Sequence, residues 1–521
     1  MESPAFGFRS VSDRLGAWNL YFIAKAALFA LGLIDLHLPE NLLFAAALFA
    51  MAAPRTRPLR PWLGVPVAIV LAYYDSRLPG LARVVSQAGL VSGFSGAYLM
   101  ELAGRFVSWK VLALLAGVVA LSIVAGRFVR LDVFVVLAMI AMSLWFTPPK
   151  FAVENVATAR QAGAAAKGPD AMLADFFRSE AQRRVALPKA ADGAAFDVIF
   201  LHVCSLSWDD LEATQLDNHP LFATFDIVLR RFNSVSTYSG PAAIRFLRST
   251  CGQPSHQSLY AAAPPQCLLM PGLQEAGLEP QFALNHDGHF DDFLNQVRAQ
   301  GVQVSPVPLK GIAAPLRGFD NSRIYDDAAV LARWMEARAK SPAARAALYY
   351  NTISLHDGNL FASNPGARSS ETYKARLAKL LGDLQVFMDE LAAGGRRAVV
   401  VLIPEHGAAW RGDSAQIAGL REIPTPAITL VPVGIRVVGP DAQRNGEAAQ
   451  ITDETSFLAV SHIVAAMLAK PPFGGDGFRA ADYTAGIPLT PFVSEVETST
   501  VVRGDKGYLI RLERDAWKEL R

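Results

Sequence analysis

The chain is short of charge. Asp, Glu, Lys and Arg make up only 18% of its 521 residues, while 52% are hydrophobic, an average too apolar for a protein built solely of water-exposed domains. It also lacks a block of Lys and Arg. With 49 basic and 47 acidic residues the formal net charge is +2, so no basic track exists for a phosphate backbone, and nucleic acid is set aside as a partner. No internal repeat is present, which excludes a repeat array. No small-residue cleavage site follows the first apolar stretch, which therefore reads as a retained anchor and not as a signal peptide. Cysteine is scarce: Cys204, Cys251 and Cys267 are the three, leaving one pair at most and one thiol to be explained separately.

The hydrophobic excess lies at the front of the chain. Apolar stretches suited to crossing a bilayer run over residues 17–36, 41–53, 62–74, 111–126 and 131–146; the second and third are short for a hydrocarbon core of roughly 30 Å. Two connections are basic, one with Arg55, Arg57 and Arg60, the other with Arg127 and Arg130, as expected of cytoplasmic loops. Five crossings then put the C-terminal region outside the cytoplasm. The segment 77–110 would share that side while carrying Arg77, Arg83, Arg105 and Lys110. Its Leu, Val, Tyr and Phe spacing fits a helix lying in the interface. The expected organisation is a transmembrane anchor over 1–149, a linker over 150–195 and a chemistry-bearing domain over 196–521.

Pro148-Pro149 closes the apolar block, and the Ala-, Gly- and Lys-rich connector beyond it holds one amphipathic helix at 171–184. From residue 196 apolar runs alternate with helical patterns. Strands are expected at 196–203, 280–284, 347–353, 398–403 and 431–438, and helices at 326–339, 370–393 and 457–469. Such alternation predicts an α/β fold with a mostly parallel sheet covered by helices on both faces, in which ligands gather at the carboxyl ends of the strands. A β-hairpin is expected over 496–512, turning at Gly504-Asp505-Lys506-Gly507. Cys251 and Cys267 flank a Pro-rich loop. They read either as a disulfide contributing roughly 3 kcal/mol in an oxidising compartment or as two unrelated buried thiols.

The apolar runs stop at residues capable of chemistry. Ser239 precedes Gly240-Pro241 and an apolar-periodic segment, so it sits at or beside a helix N-cap. An ordinary cap is one reading. The other is a nucleophile, because free N–H groups at a helix start stabilise an alkoxide and bind phosphate, and a nearby metal lowers the hydroxyl pKa further. Glu405-His406 follows a strand and precedes Gly407, where an irregular turn lets adjacent side chains face one ion. A solvated Glu and a surface His are the alternative. Cys204, at the end of the 196–203 run, is either a small buried residue or a thiolate completing a Cys, Glu, His and Ser set; mixed S, N and O donors suit zinc better than magnesium or calcium. His356 also ends a strand and could protonate a leaving oxygen, ligate a metal or simply bond Asp357. His286, Asp287 and His289 mark either a second metal or acceptor site, or a polar loop. Arg421 is a phosphate clamp if it turns inward and a surface charge otherwise.

Five segments, taken together, closely resemble the cellulose phosphoethanolamine transferases encoded with bacterial cellulose synthase, the BcsG family. They are Val203-Cys204-Ser205-Leu206-Ser207-Trp208, Tyr238-Ser239-Gly240-Pro241-Ala242-Ala243-Ile244-Arg245, Cys251-Gly252-Gln253, Leu355-His356-Asp357-Gly358-Asn359 and Pro404-Glu405-His406-Gly407. The resemblance extends over residues 196 to about 490 in the same order. It implies an alkaline-phosphatase-like (sulfatase-like) α/β domain in the periplasm, anchored in the inner membrane by several passes. It further implies transfer of phosphoethanolamine from phosphatidylethanolamine to a glucose 6-hydroxyl of emerging cellulose, in company with the cellulose synthase complex. By position it makes Ser239 the nucleophile, Cys204, Glu405, His406 and Ser239 the ligands of Zn2+, His356 the acid/base, Tyr238 and Arg421 pocket residues, and Cys251 with Cys267 a disulfide. Lipid A phosphoethanolamine transferases use threonine and a carboxylate where this chain has Ser239 and Cys204, which favours cellulose as acceptor.

Two rivals remain. A sulfatase needs Cys or Ser followed by x-Pro-x-Arg, and Ser239-Gly240-Pro241-Ala242-Ala243 lacks that Arg. A non-catalytic membrane subunit supporting the synthase through its anchor would need none of the site residues.

Overall fold

The computed structural model describes residues 15–31, 34–76, 93–106, 109–126, 131–145, 168–191, 193–474, 477–513 and 516–520. The chain divides into two compact units, Met1–Ser92 with Leu99–Ala152 and Gly93–Tyr98 with Val153–Arg521.

In the first unit helices Trp18–Ala30, Leu38–Ala50, Arg60–Asp75, Trp109–Ala125 and Leu131–Trp145 fall on the five apolar stretches. Phe22, Phe44, Leu48 and Met139 form part of its core. A buried polar group crosses that core: Lys25 pairs with Asp75, Lys25 Nζ also donates to Asn41 Oδ1 at 2.8 Å, and Asn41 Nδ2 donates to Asp75 Oδ2 at 2.8 Å. Among the described residues no single helix is long and apolar enough to cross a membrane; Gly96–Arg105 with Trp109–Ala125 meets that requirement only as a pair bent by 58°. The reason is length, since the 13 residues of Trp18–Ala30 rise about 20 Å at 1.5 Å per residue, against a core of about 30 Å. Much of the expected interfacial segment, 77–92 and 107–108, lies outside the described residues, as do Arg127, Arg130 and the connector over 150–167.

The second unit is an α/β sandwich of layers. Its strands are β1 (Asp197–Val203), β2 (Ile227–Asn233), β3 (Glu279–Leu284), β4 (Leu316–Arg317), β5 (Arg323–Ile324), β6 (Ala346–Thr352), β7 (Leu360–Phe361), β8 (Ala398–Pro404), β9 (Leu430–Val438), β10 (Ala449–Thr455), β11 (Val493–Val496), β12 (Ser499–Arg503), β13 (Tyr508–Leu512) and β14 (Lys518–Leu520). Seven of them form the central sheet in the order β10-β2-β9-β8-β1-β6-β3. Strand β9 runs antiparallel to β2 and β8, and the other four pairings are parallel. The expected mostly parallel sheet therefore carries one reversed strand.

Side chains alternate between the two faces of β1, and each face has its own apolar layer. Val198 and Phe200 point into a core with Phe246 of helix Ser239–Leu247 and Val460 and Ile463 of helix Phe457–Ala469. Ile199, Leu201 and Val203 point the other way, toward Leu331 and Trp334 of helix Asp327–Lys340 and Leu377 and Leu384 of helix Ser369–Ala393. Three of these helices lie where the periodicity places them, within one residue.

The amphipathic helix expected at 171–184 spans Pro169–Glu180, and its Leu173 and Phe176 pack on Val493 and Val502. The expected C-terminal hairpin is β12 and β13, turning where Gly504 N donates to Gly507 O at 2.8 Å, and it is enlarged by β11 and β14 into a four-stranded meander. Of the two readings of the cysteine pair, the bond forms: Cys251 and Cys267 are disulfide-linked. Most important for the site is register. His202 pairs with Asn351, Leu284 with Asn351, and Val203 with both Thr352 and Pro404, so β3, β6, β1 and β8 end level and the residues after them share one edge.

Candidate metal centre and nucleophile

Cys204 and Glu405 leave adjacent parallel strands at that edge, and two backbone bonds tie the exits together. Glu405 N donates to Val203 O at 2.8 Å and Leu206 N to His406 O at 2.6 Å. The turn after β1 needs a left-handed residue, Ser205 at φ +61°, a conformation costly for a residue with a Cβ. Tyr373 Oη holds it by donating to Ser205 O at 2.7 Å. The turn after β8 is held by Asp210, which is fully buried and accepts from Ala408 N at 2.7 Å and Trp410 N at 3.2 Å. Between those contacts Gly407 has no room for a side chain: a Cβ there would lie 2.6 Å from Ser207 Oγ.

Ser239 is the first residue of helix Ser239–Leu247, with Tyr238 as the cap and no capping bond from the Tyr238 side chain. The Ser239 hydroxyl faces the end of β1: Oγ lies 3.4 Å from Cys204 Sγ. The ligand atoms of Cys204, Glu405 and His406 all lie within 4.8 Å of one another, with Sγ to His406 Nε2 at 3.9 Å and Nε2 to Glu405 Oε2 at 3.8 Å. All three residues are fully buried.

Protonation follows from partners. His406 Nδ1 is 2.8 Å from Gly407 O, so it carries the proton and Nε2 presents its lone pair to Cys204 and Glu405. Glu405 Oε1 accepts from Asn351 Nδ2 at 2.6 Å, whereas Oε2 is buried without a hydrogen-bond partner. Burial first, and Glu405 second, push the Cys204 thiol up to about 12. Burial pushes Glu405 up to about 7 and holds His406 well below its ordinary value, with Arg421 adding to the latter. A thiol held protonated by burial, a buried carboxylate whose Oε2 lacks a hydrogen-bond partner and a neutral imidazole aimed at both form a costly group by themselves. A dication reverses each cost, favouring thiolate and carboxylate, and the S, N and O donors fit zinc.

The remaining expected residues surround this centre. The Arg421 guanidinium turns inward, with Nη1 3.3 Å from Ser205 Oγ, and sits 5.7 Å from the centroid of the Tyr238 ring. Tyr238 Oη donates to Glu422 Oε1 at 2.7 Å. His356 is buried, with its ring against Phe290 and Phe319. Its Nδ1 lies 2.7 Å from Asp357 O, which leaves Nε2 unprotonated, and burial, then Arg421, holds its pKa down to about 4.

The 286–289 cluster divides. His289 and Asp287 are exposed and 3.4 Å apart, which matches the polar-loop reading, and among the described residues Cys204, Glu405 and His406 are the one converging set of His, Cys, Asp and Glu donors. His286 is buried and bonded to Asn351. Asn351, Asp210 and Tyr373 are supporting residues that the sequence reading misses. Only Asn351 carries a signal, a polar residue at the end of the apolar run Ala347-Leu348-Tyr349-Tyr350.

Residues 18–144 match the model of the cellulose biosynthesis protein BcsG N-terminal domain and residues 153–517 that of its C-terminal domain. The cellulose biosynthesis protein BcsG of Escherichia coli (strain K12) is 37% identical over 539 residues, covering 96% of each chain. That of Salmonella typhimurium (strain LT2) is 36% identical over 538 residues, again covering 96% of each. A more remote solved structure, the integral membrane lipooligosaccharide phosphoethanolamine transferase A from Neisseria meningitidis, is 13% identical with a TM-score of 0.42, covering 85% of this chain and 94% of that one. With both halves matched, the chain belongs to the BcsG family of cellulose biosynthesis proteins.

Proposed function

We propose that this chain is a zinc-dependent phosphoethanolamine transferase with an alkaline-phosphatase-like catalytic domain. It moves phosphoethanolamine from phosphatidylethanolamine to the glucose 6-hydroxyl of nascent cellulose, through a covalent intermediate on Ser239. The observation that carries the reading is the Ser239 hydroxyl, 3.4 Å from Cys204 Sγ at the start of a nine-residue helix, beside the buried donors of Glu405 and His406. Membership of the BcsG family supports cellulose synthesis as the setting. The first 149 residues form the multi-pass inner-membrane anchor, 150–195 the linker, and 196–521 the periplasmic catalytic domain, working alongside the cellulose synthase complex.

Cys204, Glu405, His406 and Ser239 would hold the zinc, which when bound lowers the pKa of the Ser239 hydroxyl and offsets charge on the phosphoryl group. Ser239 Oγ attacks the lipid phosphorus while the helix start faces the phosphoryl oxygens. His356, neutral at rest, takes the serine proton on Nε2 and returns it to the departing diacylglycerol oxygen. In the second half the sugar hydroxyl gives its proton to the same nitrogen, its oxygen displaces Ser239 from phosphorus, and Ser239 recovers a proton. Arg421 and Tyr238 line the pocket and orient the phosphate.

The test is the intact mass of the full-length protein in detergent micelles after incubation with zinc and phosphatidylethanolamine, beside Ser239→Ala. A phosphoethanolamine adduct on wild type alone is expected. Donor turnover with zinc bound but no adduct removes the covalent serine. Absence of both zinc binding and turnover favours a non-catalytic subunit.

A further inference from the structure

His286 contributes to neither the metal set nor the nucleophile, yet it is 4% exposed in the core behind them. Its two ring nitrogens have different partners. Nδ1 lies 3.1 Å from Gly288 N, a backbone group that can only donate, so Nδ1 accepts. Gly288 reaches this position at φ +74°, where a Cβ would lie 3.1 Å from Leu294 Cβ, so the donor is presented by a backbone that favours glycine there. Burial holds His286 below its ordinary pKa, which leaves the ring one proton, and with Nδ1 accepting that proton is on Nε2.

Nε2 lies 3.0 Å from Asn351 Oδ1. A donor at that place fixes the amide: the oxygen faces His286 and the nitrogen faces away. Both N–H groups of Asn351 are then used, one to Glu405 Oε1 at 2.6 Å and one to His202 O at 3.3 Å. With the amide turned over, two acceptor oxygens would meet at 2.6 Å in a fully buried place. The chain of bonds therefore has one allowed direction, and it ends by occupying Oε1 of Glu405 while Oε2, buried and without a hydrogen-bond partner, lies 3.8 Å from His406 Nε2.

We infer that His286 is a positioning residue for the metal-ligating carboxylate, acting through Asn351 to decide which oxygen of Glu405 is left for the ion. The inference rests on Cys204, Glu405 and His406 being the zinc ligands. It gives the 286–289 segment a role that its exposed members, Asp287 and His289, do not share.

Its test is zinc affinity of the full-length protein, measured by competition with a chromogenic chelator, together with the thermal midpoint of the metal-free form. His286→Gln keeps an N–H near the place of Nε2 and is expected to hold zinc within about threefold of wild type. His286→Leu and His286→Glu, which remove the donor or replace it with an acceptor, are expected to weaken zinc by about 10- to 100-fold. Asn351→Asp, which sets an oxygen against Glu405 Oε1, should weaken it as much and reports on the same link if His286→Leu does not fold. Wild-type affinity in His286→Leu and Asn351→Asp overturns the inference, as does a His286→Gln variant that folds but loses zinc as fully as His286→Leu. A wild-type protein that binds no zinc overturns instead the ligand assignment beneath it, a distinguishable result.

Discussion

Cys204 Sγ and Ser239 Oγ approach to 3.4 Å although 35 residues separate them, because β1 ends where helix Ser239–Leu247 begins. With burial holding the thiol up at about 12, a metal can bind Cys204 only by expelling its proton. Calorimetry in buffers of different ionisation enthalpy should therefore count more protons released per zinc bound by wild type than by Cys204→Ser. The variant should also hold zinc at least about tenfold more weakly. Equal proton counts would exclude Cys204 as a ligand.

Ser239→Ala separates chemistry from folding. Ser239 follows the cap residue Tyr238 and its Oγ faces Cys204 Sγ, so its loss should leave the stability of the metal-free protein within about 0.5 kcal/mol, as for a residue outside the packed core. Phosphoethanolamine transfer should fall by about a thousandfold or more, the scale of losing a nucleophile. Thermal midpoint and turnover measured on one preparation check both halves, and a large drop in midpoint would make the lost activity uninformative about Ser239.

The ends of strands are the most legible part of this chain. The apolar runs at 196–203 and 398–403 stop at Cys204 and Glu405, and a parallel register with Val203 opposite Pro404 turns two sequence positions into neighbours. Strand β2 escapes because Arg230-Arg231 interrupts its apolar pattern, and β10, at the sheet edge, is too polar to signal a strand at all. Asp210 and Tyr373 escape for a different reason. Each acts on a loop more than 150 residues away in sequence, by 198 for Asp210 to Ala408 and 168 for Tyr373 to Ser205, and buried hydrogen bonds of that span leave no local trace. The assignment of roles within the site came from the motif resemblance, since spacing alone left Cys204 and Ser239 each with two readings.

Two glycines near the site should respond differently to a methyl group. A Cβ on Gly252 would collide with the backbone oxygen of Glu180, which cannot move without the chain. One on Gly240 would lie 2.5 Å from Gln296 Oε1, the far end of a flexible side chain. Gly252→Ala should cost about 3 kcal/mol, at the upper end for overpacking, and Gly240→Ala less than half of that. Denaturant unfolding of the two variants checks the order; equal losses would contradict it.

Reduction of the disulfide should be felt globally. Cys251–Cys267 closes a loop with a sequence separation of 16, for which chain entropy gives a stabilisation of about 3 kcal/mol. Arg184 bridges to Cys251, and Gly252 N donates to Arg183 O at 3.0 Å, so the bonded segment also anchors the stretch that follows helix Pro169–Glu180. Cys251→Ala is expected to lower the thermal midpoint by several degrees and to remove its dependence on added reductant. A wild-type midpoint indifferent to reductant would show that the bond contributes little.

Asp210 offers a test by pH. Its carboxyl takes the N–H groups of Ser207, Ala408 and Trp410 and the hydroxyl of Ser207, at 3.0, 2.7, 3.2 and 2.8 Å, yet burial outweighs these donors and pushes it up to about 6. Between about 4 and about 6 the native state thus holds a proton that the unfolded chain has released, so the contribution of this group to stability falls as pH rises through that window. Asp210→Asn no longer titrates and sets an NH2 among N–H donors, at a cost of about 1 to 3 kcal/mol near neutral pH. Because only the wild type gains stability on acidification through this group, the gap between the two should widen from pH 7 to pH 4. Unfolding midpoints across that range decide the matter: a gap that narrows would mean that the four donors, and not burial, set the charge of Asp210. The variant should also bind zinc more weakly, because the turn that Asp210 fastens is the one carrying Glu405 and His406.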